Sequence, residues 1–79
     1  MSNYHINIKS IDNTETVYHI LQDIPKVLDE AKKWMCENLP QIEINVPNGE
    51  YYAFLVDDLG SDPFLIKNIQ VQGKTITII

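Results

Sequence analysis

Seventy-nine residues hold one domain and no second, because units below about 50 residues seldom bury enough apolar surface to stay folded. Apolar residues make up 44% of the chain and charged residues 22%, ordinary proportions that argue against intrinsic disorder, collagen-like repeats and coiled coils. Eleven acidic residues stand against six basic ones for a formal charge of −5, and every basic residue is a lysine, so direct binding to nucleic acid or to an anionic membrane is disfavoured: the chain has no guanidinium fork for phosphates or guanine edges.

Residues 4–10 open the chain with strict alternation, Tyr4, Ile6 and Ile8 against His5, Asn7 and Lys9, the period of a half-buried strand. Asp12, Asn13 and Thr14 supply turn chemistry, and a β-rich run over 15–22 follows closely enough to predict a hairpin. Two registers remain open. A two-residue loop pairs Ile8 with Val17, whereas one more loop residue pairs Ile8 with Tyr18 and turns the opposite face of the second strand to the core.

Spacing then changes to helical over 25–38: Ile24, Val27, Leu28, Ala31, Trp34 and Met35 recur at intervals of three and four, with Lys26, Asp29, Glu30, Lys33 and Glu37 opposite. Asp23 and Pro25 suit the start of such a helix, and Asn38-Leu39-Pro40 its stop. Cys36 falls late in this helix as a partly buried, inert thiol, since the negative end of the helix dipole opposes its ionisation.

Residues 41–46 alternate again and predict a third strand, with Ile42, Ile44 and Val46 inward. Pro47-Asn48-Gly49 forms a turn into a fourth strand over 50–56, whose two faces are both apolar: Tyr52, Phe54 and Val56 on one, Tyr51, Ala53 and Leu55 on the other. That strand is central, or it presents Tyr51 and Leu55 on a binding surface. After a loop over 57–63, two more strands at 64–71 and 74–79 form a hairpin around Gln72-Gly73. Phe64 and Ile66 fall on one face but Ile69 and Val71 on the other, which predicts a bulge near Lys67-Asn68 or a short irregular start. The expected architecture is an α+β two-layer sandwich, one amphipathic helix on an antiparallel sheet, in the order strand, strand, helix and four strands, over a single domain 1–79.

Motifs that carry chemistry are sparse. Asp57, Asp58 and Asp62 lack the alternation of a calcium loop, whose closing glutamate position would here be Asn68, and they read as a solvated acidic turn suited to a basic partner. His5 and His19 share a face with Asn7 and Lys9 only in the longer hairpin register, where an acid, a base and a nearby cation become conceivable. No nucleophile elbow, phosphate-binding glycine loop or paired-cysteine motif occurs, and neither a metal nor a cofactor is expected. A lone cysteine, the lack of a leader-like segment in 1–9, and apolar runs as short as 53–56 lead to the expectation of a cytoplasmic protein.

In size, acidity and compactness the chain is similar to small inhibitors encoded by phages and mobile elements, including anti-CRISPR proteins, a likeness of format that no motif carries. The expected function is therefore a non-catalytic protein-binding domain of the inhibitor, antitoxin or immunity-protein type, occupying a basic site on a larger protein through Asp57, Asp58, Asp62, Tyr51 and Glu50. The alternative is a small enzyme or ligand-binding domain with its site near His5 and His19 or in the 57–62 loop. The β-branched end, residues 74–79, must lie in the sheet or pair with a second subunit, so the chain is expected as a monomer or an edge-paired homodimer.

Overall fold

A computed structural model describes residues 3–12, 15–60 and 62–79. Two strands, β1 (Tyr4–Ser10) and β2 (Thr16–Ile20), lead into one helix, α1 (Leu28–Asn38), and a 3-10 turn (Leu39–Gln41). Three strands follow, β3 (Gly49–Asp57), β4 (Leu65–Gln72) and β5 (Thr75–Ile78). All pairings are antiparallel and the sheet runs β2-β1-β3-β4-β5, an α+β fold with β3 at its centre. Among the described residues no helix is long and apolar enough to cross a membrane.

Period-two patterning decides which side chains meet the helix. Ile6 and Ile8 of β1, Ala53 and Leu55 of β3, Ile69 and Val71 of β4 and Ile76 of β5 are buried on one face, together with Ala31 and Met35 of α1 and Leu39 of the 3-10 turn. Cross-strand pairs Ile6 with Leu55, Ile8 with Ala53, and Val71 with Ile76 keep this face continuous.

The first hairpin takes the longer register. Ile8 pairs with Tyr18 and Ile6 with Ile20, and the pairing slips between Ile8 and Lys9 so that Val17 is the extra residue of a bulge. The slip lets Tyr18 and Ile20 face the helix while Val17 stays exposed.

Elsewhere the structure departs from the pattern in three places. The helix starts at Leu28 rather than at Pro25: Val27 is its extended N-cap, no side chain caps it, and the first turn closes by the Ala31 amide donating to the Val27 carbonyl at 2.8 Å. Asp29 and Glu30 in that turn favour the positive end of the dipole. Residues 42–46 form an isolated bridge, Glu43 with Thr75, instead of a strand, giving five strands in place of six. Prolines at 40 and 47 bracket this stretch and interrupt its supply of donors, yet Ile44 is still buried and its amide donates to the Lys74 carbonyl at 3.0 Å. Alternation here thus closes the edge of the core beside β5 without building a ladder.

Third, β4 carries no bulge. Its pairing with β3 is unbroken from Gly49–Val71 to Leu55–Leu65, so Leu65 faces the helix side and Ile66 the other, while Phe64 precedes the strand with its amide donating to the Leu55 carbonyl. The irregular start is the alternative realised. The last turn sits one residue later than expected, with Gly73 at φ 59° and Lys74 at φ 70°, the paired left-handed angles that a tight hairpin needs.

Residues 75–78 lie in the sheet as expected, and they provide a direct contrast. Ile76 is 1% exposed and Ile79 68% exposed, so Ile76→Ala should lower stability by about 2–5 kcal/mol and Ile79→Ala by less than about 0.5 kcal/mol in urea denaturation. Equal effects would contradict this packing.

Candidate functional site: the open face of the sheet

Because α1 lies on one side of the sheet, the residues of opposite parity line a face that no described element covers. In register, His19, Asn7, Phe54 and Ile66 form one row across β2, β1, β3 and β4. Lys9, Tyr52 and Asn68 form the next row, and His5 and Val56 the row beyond Asn7. Tyr52 and Phe54 are half-buried with ring centres 6.0 Å apart, and Ile66 beside Phe54 is exposed. Lys9 lays its ammonium 5.1 Å from the centre of the Phe54 ring, where the ring quadrupole attracts it.

Toward the β2 side of this face the side chains are polar. The register settled by the hairpin brings His5, Asn7, Lys9 and His19 together, as the longer pairing requires. His19 Nδ1 donates to Asn7 Oδ1 at 2.7 Å, the two imidazole centres are 6.5 Å apart, and His5 Nδ1 lies 3.5 Å from Asp58 Oδ1. Beside them His5, Asn7, Lys9, Val56, Asp58 and Pro63 line an open groove of about 440 Å³.

The expected contact residues divide into two groups. Asp58, Asp62 and Glu50 are exposed, with Glu50 at one end of β3 and Asp58 in the turn beyond the other. Asp57 is 7% exposed and its Oδ1 accepts the Leu59 amide at 3.1 Å, so this carboxylate shapes the turn instead of presenting itself to a partner. Tyr51 is a correction as well: it is 8% exposed on the helix side and its hydroxyl donates to the Pro47 carbonyl at 2.6 Å. Strand parity sends Tyr52 to the open face and Tyr51 to the core, and Leu55 goes inward with it. Cys36, expected as partly buried, is exposed.

Neither Asn7 nor Ile66 is among the contact residues expected from the sequence. Asn7 orients His19, a contact visible only once the register is known; Ile66 joins Phe54 because β4 runs without a bulge. Among the described residues no three histidine, cysteine, aspartate or glutamate side chains are grouped to hold a metal ion. No protein-family model, no curated protein and no solved structure matches the chain, so the chemistry of this face rests on its own geometry.

A structural role for Asp57 separates it from its neighbours in the loop. Asp57→Ala should cost about 1–3 kcal/mol by removing a buried acceptor, whereas Asp62→Asn should change stability by less than about 0.5 kcal/mol, both read from denaturant midpoints.

Proposed function

We propose that the chain is a small non-catalytic binding domain, acting as an inhibitor-type protein that occupies a basic site on a larger protein. One observation carries this reading: half-buried and exposed apolar side chains, Tyr52, Phe54, Val56 and Ile66, lie together on a sheet face that no described element covers. An aromatic centre with a polar margin is the usual anatomy of a protein interface. The margin here is acidic at both ends of β3, with Glu50 at one and Asp58 and Asp62 in the loop beyond the other, and the chain as a whole carries −5. Such a field steers a basic partner toward the face and sets the association rate more than the final affinity. Only His5 of the two histidines borders the groove, and that groove is open, which favours binding over turnover.

The test begins with affinity capture from the native host and continues with purified partner in a kinetic binding assay. Phe54→Ala should weaken binding by about tenfold or more, mostly by faster dissociation. Glu50→Gln, Asp58→Asn and Asp62→Asn combined should slow association and flatten its dependence on ionic strength. Binding unchanged by both sets would overturn the assignment, as would micromolar affinity for duplex DNA or RNA at physiological salt in place of a protein partner.

A further inference from the structure

At the Glu50 end of β3 the sheet carries a recess with apolar walls. Tyr51 and Ile69 send their side chains to the core, so their pair opens a gap on the other face between the Glu50–Gln70 row and the Tyr52–Asn68 row. Ile11, just past β1, and Ile79, whose amide donates to the Asn68 carbonyl at 2.9 Å, also line this gap. Both isoleucines are exposed, so neither is held there by the core. The recess holds about 180 Å³ and is more enclosed than the groove beside His5.

Size and charge select the occupant. Sites for whole small molecules measure about 300–1,000 Å³, so a recess of about 180 Å³ takes a single long side chain. Glu50 is the one charged side chain among the described residues that line it; Lys9 pairs with Tyr52 in the sheet but lays its ammonium over Phe54, 5.1 Å from the ring centre, and does not line the recess. An aliphatic stem with a cationic end satisfies these walls together, with Ile11 and Ile79 for the methylenes, the Tyr52 ring for the cation and the Glu50 carboxylate for its charge. A guanidinium meets the last two better than an ammonium, because its plane stacks on a ring and its fork pairs with both carboxylate oxygens. An anionic side chain is repelled by Glu50 and by the net −5, and a second copy of this chain has no arginine to offer.

We propose that this recess receives one arginine side chain of the partner protein, its stem between Ile11 and Ile79 and its guanidinium against Tyr52 and Glu50. The inference rests on the docking role proposed above and deepens it: it names the residue that the basic partner supplies, and it makes Glu50 a direct contact as well as a source of steering charge. Phe54 does not line the recess, so the aromatic row and the arginine contact can be tested separately.

NMR titration of the nitrogen-15-labelled full chain with N-acetyl-arginine amide, and with its uncharged analogue N-acetyl-citrulline amide, tests the recess without the partner. The expected result is saturable shifts centred on the amides of Ile11, Glu50, Tyr52, Asn68 and Ile79, with millimolar affinity for the arginine derivative and about fivefold weaker binding of the citrulline derivative. Glu50→Gln should bring the arginine derivative down to the citrulline level and Tyr52→Leu should weaken it about threefold, with thermal transitions showing that each variant is folded. With purified partner, Glu50→Gln should speed dissociation, whereas Asp58→Asn, outside the recess, should only slow association. Equal binding of the two derivatives, no saturation at tens of millimolar, shifts centred on the His5 groove, or partner dissociation untouched by Glu50→Gln would overturn the arginine contact, while the effect of Phe54→Ala on the partner reports on the docking role by itself.

Discussion

One eleven-residue helix cannot cover both faces of a five-stranded sheet, and the organisation of this molecule follows from that limit. A helix of that length is about 16 Å long and about 10 Å across, whereas five strands at about 4.8 Å spacing make a sheet roughly 20 Å wide. One face therefore takes the helix, with Ala31, Met35 and Leu39 meeting Ile6, Ile8, Leu55 and Ile69 in a single core. The opposite face keeps its side chains at the surface, and β3, the central strand, sends Tyr52, Phe54 and Val56 there. Exposed apolar surface of that kind is tolerated when it meets something, which is why function is sought on this face.

Which residues occupy the open face is settled by register. A shift of one residue in the first hairpin would exchange Tyr18 and Ile20 for Val17 and His19 in the core, at the cost of burying an imidazole and exposing a tyrosine and an isoleucine. The bulge at Val17 resolves the conflict between a tight turn and the apolar pattern, and it leaves His19 beside Asn7. The same parity rule withdraws Tyr51 and Asp57 from solvent and leaves Glu50 and Asp58 in it.

Much of this was legible in the sequence, and its failures have physical causes. The alternation of Tyr4, Ile6 and Ile8 and the three- and four-residue spacing through Met35 follow from periodicity alone, and the two apolar faces of β3 made a central position one of two readings, the one the sheet order takes. Alternation misleads at 42–46, because Ile44 can be buried at the edge of a core as well as in a ladder, and periodicity records only burial. It misleads again at Ile66, where a run of apolar residues on both sides of Leu65 hides which parity the core takes. The site was legible as candidates, His5, His19 and the aspartates; their partition between surface and interior depended on pairings that the sequence left open.

The polar side of the open face depends on the β1–β2 register, and interstrand nuclear Overhauser effects in the isotopically labelled chain measure that register without a ligand or a partner. The account predicts cross-strand contacts between Ile8 and Tyr18 and between Asn7 and His19, with the His19 ring close to the His5 ring. Contacts pairing Ile8 with Val17, with the His19 ring against Met35 or Leu39 on the helix side, would contradict it and dissolve the histidine pair.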